Sequence, residues 1–152
     1  MLKTRLILPL AALAVIALPF QAVAGEANIT RVTAKETSAN IWSFSVSVRH
    51  KDKGWKHYAD NWEVLSPEGD ILATRVLAHP HVNEQPFTRS LSGVKIPEGV
   101  SEVIIRAHDS VHGYGGKRMR VNLTTGKASR DKTPLSERPD AQGGAERIKA
   151  TN

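Results

Sequence analysis

The 152-residue sequence contains no cysteine and only two methionines. The lack of cysteine excludes disulfide bonds, thiolate metal sites and a lipid attached to an N-terminal cysteine. The scarcity of methionine argues against a thioether cluster of the kind that selects copper(I). Small exported domains are often stabilised by disulfides. Because this sequence can form none, its folded domain must be held together by packing alone.

Long apolar runs are missing after the first 24 residues. Basic residues stand at positions 3 and 5, an apolar stretch follows over 6–20, and alanine occupies positions 22 and 24. This order of zones predicts a cleavable signal peptide over residues 1–24 and a mature protein that begins at Gly25. The apolar stretch is shorter than the roughly 20 residues that span a membrane. We therefore expect a periplasmic or secreted protein with no stable membrane anchor.

A strong surplus of one charge is also missing. Loss of the signal peptide would lower the formal net charge of +6 by two, and the remaining basic residues form no stripe. Nucleic-acid binders concentrate lysine and arginine, so we expect no nucleic-acid partner. Residues 125–152 contain little apolar surface to offset the entropy of ordering. The predicted domains are the signal peptide, one β-sandwich domain over 25–124 and a flexible, disordered tail over 125–152.

Within 25–124 no long segment shows a helical period, and the dominant period is two. In the clearest segment Trp42, Phe44, Val46 and Val48 alternate with polar residues, which places the apolar set on one face of a strand. Pro67 and Gly69 predict a tight turn between two such segments. Regularly spaced short strands indicate an all-β, seven-stranded antiparallel sandwich. The predicted strands are 29–35, 42–49, 62–65, 71–77, 87–91, 103–107 and 117–123.

Two stretches resemble known families. Residues 91–109, with the sequence LSGVKIPEGVSEVIIRAHD, resemble the passage between the fifth and sixth strands of fibronectin type III and immunoglobulin-like sandwiches. The tyrosine that those domains carry early in the sixth strand is absent, with Val100 and Val103 nearest its place. Residues 55–116, with His57-Tyr58-Ala59-Asp60 and His79-Pro80-His81, resemble small exported proteins of Gram-negative bacteria. The first resemblance implies an immunoglobulin-like or fibronectin type III-like fold, and the second implies export but no particular activity.

In such a sandwich the loops after the second, fourth and sixth strands share one end, and all six histidines map to those loops or their borders. His79 and His81 are separated by one extended residue and can face the same ion. With help from His57, His112 or Glu84 they could form a zinc or copper(II) site. The alternative is that both cap a strand and bond loop carbonyl groups. His57 could also be oriented by Asp60, or Asp60 could simply close a turn.

The same loops carry Trp55, Tyr58 and Tyr114, which are candidates for binding a protein or glycan partner or for packing the loops. No nucleophile with a suitably placed base and no G-x-S-x-G or H-E-x-x-H motif occurs, so we expect no enzyme. Two functions remain open. The first is an exported, non-catalytic binding or interaction module. The alternative is a zinc(II) or copper(II) protein that stores or delivers metal through His79 and His81.

Overall fold

The structure, a computed structural model, describes residues 25–141. The predicted signal peptide and residues 142–152 lie outside the described residues. Two antiparallel sheets make up the described part, and no α-helix occurs in it. The strands are β1 (Asn28–Ser38), β2 (Ile41–Arg49), β3 (Ala59–Leu65), β4 (Ile71–Val76), β5 (Phe87–Lys95), β6 (Glu102–Asp109), β7 (Met119–Asn122) and β8 (Ala128–Arg130).

One sheet has three strands in the order β1-β2-β5, and the other has five in the order β4-β3-β6-β7-β8. Both sheets contribute to one buried apolar cluster. The predicted alternation in β2 is confirmed, because Phe44, Val46 and Val48 are fully buried while their neighbours are more exposed. Phe87 on β5 pairs with Val48 in the same sheet, Trp62 on β3 belongs to the opposite sheet, and both are also fully buried. The all-β class and the packing of two sheets are therefore as expected.

The predicted turn between β3 and β4 is also present. Gly69 has a φ of 92°, a conformation that glycine adopts without a steric penalty. The amide of Gly69 donates to the Ser66 carbonyl over 3.0 Å, and the amide of Ser66 donates to the Asp70 carbonyl over 2.9 Å. These bonds close the hairpin and fix the register of β4 on β3.

The expected number of strands and the extent of the tail were wrong. An eighth strand, Ala128–Arg130, pairs with β7 inside the segment that the composition assigned to a flexible tail. Two short 3-10 helices follow, Leu135–Glu137 and Pro139–Ala141. The order here comes from ion pairs, because buried Arg118 bonds both Asp131 and Asp140. A count of apolar residues cannot detect this kind of anchor.

Residues 131–141 cover part of the outer face of the five-stranded sheet. Asp140 accepts from Arg106 over 2.6 Å and from Arg118 over 2.7 Å. Arg106 also pairs with Glu63 on the neighbouring strand over 2.7 Å. This cover buries both faces of β6, so its run Val103–Ala107 is buried at every position. Within residues 25–141 no helix is long and apolar enough to cross a membrane.

Candidate metal site

Three loops meet at one end of the sandwich, and specific contacts join them. They are the β2–β3 loop (50–58), the β4–β5 loop (77–86) and the β6–β7 loop (110–118). The rings of His57 and His112 lie 4.9 Å apart between centroids and join the first loop to the third. The backbone amide of His81 donates to Asp52 over 2.6 Å and joins the second loop to the first. The predicted convergence of these loops is therefore present.

A tight turn brings two histidines of the β2–β3 loop together. The amide of His57 donates to the Gly54 carbonyl over 3.1 Å, and the amide of Lys53 donates to the His57 carbonyl over 2.8 Å. Gly54 has a φ of 82°, which a side chain would disfavour. The turn folds His57 back against His50 at the end of β2, so that their rings meet edge to face with centroids 4.7 Å apart.

Three potential ligand atoms converge at this point. The Nε2 atom of His50 lies 3.1 Å from Nε2 of His57, which lies 3.2 Å from Oδ1 of Asp109. All three atoms lie within 4.8 Å of one another. Ligands about 2.0–2.1 Å from a tetrahedral zinc ion are separated by about 3.3 Å. The two short separations therefore match the edges of a tetrahedral coordination shell. We call His50, His57 and Asp109 the metal triad.

The orientation of His50 is set by Asp52. Nδ1 of His50 donates to Oδ1 of Asp52 over 2.5 Å, and both side chains are fully buried. Because the carboxylate only accepts, the hydrogen of a neutral His50 lies on Nδ1 and the lone pair of Nε2 points into the triad. A carboxylate behind a histidine in this way is the usual support for a metal-binding imidazole. The amide of Ala59 also donates to Asp52, over 3.2 Å.

Asp109, at the end of β6, is held as an ionised carboxylate. Burial by itself raises its pKa, but the backbone amides of His112 and Val111 donate to Oδ1 over 2.7 and 3.0 Å. These bonds and the nearby histidines bring the pKa of Asp109 below its usual value. Its other oxygen accepts the amide of Ala27 over 3.3 Å. The carboxylate is therefore fixed on both sides.

The three atoms of the triad can share either a hydrogen or a cation. Nε2 of His50 presents a lone pair, and the carboxylate of Asp109 only accepts. The Nε2 atom of His57 lies between them, 3.1 Å from one and 3.2 Å from the other. Oδ1 of Asp109 already accepts the amides of His112 and Val111, so a hydrogen on His57 can be donated to His50, or a cation can take the place of that hydrogen.

The predicted site residues fall into three groups. His57 is part of the triad, and His112 lies beside it, with Nδ1 3.0 Å from Oδ1 of Asp109. His79 and His81 form a neighbouring pair with ring centroids 4.6 Å apart. Glu84 does not reach either cluster in the described residues, because it points outward and pairs with Arg89 over 3.0 Å. Metal binding at this end of the sandwich stays a prediction, and two members of the triad, His50 and Asp109, are not among the predicted ligands.

His81 is buried and stacks on Phe87, with ring centroids 3.8 Å apart and the planes inclined by 11°. Burial lowers its pKa, and the charge of Arg89 and then that of His79 lower it further. Neither ring nitrogen has a hydrogen-bond partner among the described residues. His79 is exposed, and its Nδ1 lies 3.1 Å from the Pro80 carbonyl oxygen.

The aromatic candidates separate in the structure. Trp55 is 68% exposed and meets Tyr58 edge to face with centroids 5.7 Å apart. Tyr114 is half-buried instead, and its hydroxyl donates to Glu63 over 2.8 Å. Burial, followed by this bond to Glu63, raises the pKa of Tyr114. The guanidinium of Arg106 lies 3.7 Å from the Tyr114 ring centroid. Trp55 is thus available at the loop surface, Tyr58 is partly buried beside it, and Tyr114 packs into the ionic network over β6.

Sequence reasoning missed three residues of the site. His50 lies at the border of a predicted loop but is not among the predicted ligands, and neither Asp52 nor Asp109 is predicted to take part in metal binding. The spacing of His50 and Asp52 is a usable signal, because a carboxylate two residues after a histidine can reach back to its ring in a turn. No such signal exists for Asp109, which lies 52 residues after His57. The considered support of His57 by Asp60 is absent, since Asp60 bonds His108 over 2.6 Å.

No protein-family profile and no solved structure matches this chain. The sequence is similar to a protein of Halomicrobium mukohataei named "Putative lipoprotein", with 43% identity over 101 residues. The match covers 66% of this chain and 49% of that protein. The chain thus spans about half the length of the curated relative it matches. The relative's name specifies no ligand and no reaction.

Proposed function

We propose that this protein is an exported, non-catalytic metal-binding protein that holds one zinc(II) or copper(II) ion through His50, His57 and Asp109. The observation that carries the proposal is the convergence of two imidazole nitrogens and one carboxylate oxygen, with neighbouring separations of 3.1 and 3.2 Å. Nitrogen and oxygen ligands without sulfur suit these two ions. The role would be metal storage, delivery or stabilisation of the loop end.

The support around the triad distinguishes it from an accidental cluster. Asp52 fixes His50, and backbone amides fix Asp109, so neither ligand needs to be reoriented when an ion binds. His57 is the most accessible of the three, with 12% of its side chain exposed against 0% for the other two. An ion would therefore enter past His57. Three protein ligands leave a fourth position, which water or the delivered partner would occupy.

Export and fold family belong to the same proposal. The N-terminal pattern over 1–24 and the similarity to a protein named "Putative lipoprotein" both favour a protein that leaves the cytoplasm, and we propose the periplasm as its location.

The order β1-β2-β5 and β4-β3-β6-β7 is the order of a fibronectin type III-like sandwich, with β8 added at one edge. Because the strand order matches, we propose that the domain belongs to the fibronectin type III-like fold family.

The test is a zinc titration of the mature protein, from residue 25 onward, by calorimetry at pH 7. We expect saturable binding whose tighter step is lost in His57→Ala, which removes a partly exposed ligand and leaves the core intact. The matched control is His108→Ala, which removes another partly exposed histidine that does not belong to the triad. Equal binding in both variants, or no binding of zinc or copper(II) by the unaltered protein, would disprove the proposal.

A partner-binding role is favoured by one separate observation. Trp55 is the most exposed large apolar residue in the described part, at 68%, and exposed tryptophan is enriched at binding interfaces. The partner would be a protein or a glycan that contacts the loop end. Capture of a partner from periplasmic extract in the presence of a chelator, lost in Trp55→Ala and retained in Ile71→Ala, would support this role. Ile71 is a suitable control because it is 56% exposed on β4, away from the loop end.

A further inference from the structure

His81 presents a problem that the triad does not solve. Its residue is 4% exposed, and neither ring nitrogen has a partner among the described residues. A neutral imidazole carries one N–H group and one lone pair. Buried polar atoms of this kind are almost always bonded to protein, water or an ion. The ring nitrogens of His81 therefore lack the bonding partner that a buried imidazole normally has.

A second histidine lies next to this ring. His79 is separated from His81 by Pro80, and the two ring centroids are 4.6 Å apart with the planes inclined by 37°. This centroid separation is close to the 4.7 Å between His50 and His57 in the triad. His79 is exposed, and only its Nδ1 has a contact, with the Pro80 carbonyl. Its Nε2 atom is thus available to an ion that arrives from solvent.

We propose that His79 and His81 bind a second zinc(II) or copper(II) ion, separate from the ion of the triad. His81 would supply the buried nitrogen that now has no partner, and His79 would supply the accessible one. Water or a group from a binding partner would complete the coordination shell, because two protein ligands alone leave open positions. We call this pair the second site.

The charges around the pair fit a weakly held cation. Oδ2 of Asp52 lies 4.0 Å from Nδ1 of His81 and supplies a negative charge beside the pair. Glu84 supplies no ligand, because Arg89 holds its carboxylate in a bidentate pair at 3.1 and 3.0 Å. The second site is therefore expected to bind less tightly than the triad, which has a buried carboxylate as a direct ligand.

Asp52 links the two sites. One of its oxygens bonds the His50 ring of the triad and the other accepts the backbone amide of His81. The second site nevertheless shares no ligand with the triad, so each can be removed separately. The proposal does not depend on the triad binding metal, and the two claims can fail independently.

The experiment counts bound zinc per chain by native mass spectrometry and by metal analysis after dialysis at graded zinc concentrations. The protein is the mature chain, and the variants are His79→Ala, His57→Ala and the double variant. We expect two ions for the unaltered protein, one for each single variant and none for the double variant. His79 is exposed, so its replacement should leave folding unchanged, and circular dichroism checks this.

Each possible result decides one claim. A count of one in the unaltered protein that is unchanged in His79→Ala overturns the second site and leaves the triad standing. A count of one that persists in His57→Ala but disappears in His79→Ala supports the second site and overturns the triad. As an added check on His81, the conservative His81→Gln variant should lose the weaker ion and keep the tighter one. Retention of both ions in His81→Gln would overturn the second site.

Discussion

Replacement of Asp52 by asparagine tests the central claim about how the triad is built. Asp52 is 5% exposed and accepts three hydrogen bonds, from Nδ1 of His50 at 2.5 Å, the amide of His81 at 2.6 Å and the amide of Ala59 at 3.2 Å. An asparagine has the same shape, but one of its two terminal atoms is a donor. Either the amide of His81 then meets a donor, or the hydrogen of His50 moves from Nδ1 to Nε2 and removes the lone pair that faces the triad.

The magnitude follows from these bonds. Loss of a buried bond to a charged group costs about 1.5–3 kcal/mol, so the free energy of unfolding of the metal-free protein should fall by about that amount. Metal affinity should fall by about 10- to 100-fold, as is usual when the carboxylate behind a metal-binding histidine is removed. That loss corresponds to about 1.4–2.7 kcal/mol of binding free energy.

The assay is competition for zinc against a chromophoric chelator, in a His79→Ala background so that only the triad is measured. Urea unfolding of the metal-free proteins gives the stability change. Asp60→Asn is the matched control, because Asp60 bonds His108 over 2.6 Å in an equally short carboxylate–histidine pair outside the triad. A folded Asp52→Asn protein with the zinc affinity of the Asp60→Asn control would refute the role given to Asp52.

Three further outcomes are expected. In Gly116→Ala the added Cβ would lie 1.8 Å from the Ala27 carbonyl oxygen. We therefore expect the free energy of unfolding, measured in urea, to fall by at least about 2 kcal/mol. A fall of less than about 0.5 kcal/mol would contradict the packing of Ala27 against the β6–β7 loop. Burial raises the pKa of Asp140, but its bonds and charge interactions with Arg118 and Arg106 bring it below the usual value. The stability that Asp140 contributes is therefore present above the ordinary aspartate pKa of about 3.9 and lost as the pH falls further through the folded value. Asp140→Asn should thus cost about 2 kcal/mol near pH 7, with a gap from the unaltered protein that narrows below about pH 4, and a gap independent of pH would contradict the ion pairs. Finally, zinc at about 100 times its dissociation constant should stabilise the folded protein by about 2.7 kcal/mol, and thermal unfolding that a chelator leaves unchanged would contradict metal binding to the folded state.

The strands were predictable because their information is local. The alternation of Phe44, Val46 and Val48 with serines identifies β2, and the turn at Pro67 and Gly69 locates the β3–β4 hairpin. Each of the seven predicted strands corresponds to one in the structure. β8 was not predictable, because its segment carries little apolar surface. It is held in place by Asp131 and Asp140, whose partner Arg118 is buried only when the sheet has formed.

The sequence by itself determined that cysteine chemistry is absent and that any metal would be bound by histidine and carboxylate. It also determined that most histidines would gather at one end, since that follows from strand order. Only the tertiary structure decided which of them meet. The turn at Gly54 points His57 at His50, and Asp109 arrives from the end of β6 through the pairing of β3 with β6. Side-chain direction at the end of a strand depends on such turns and pairings between distant segments, which periodicity in one segment does not encode.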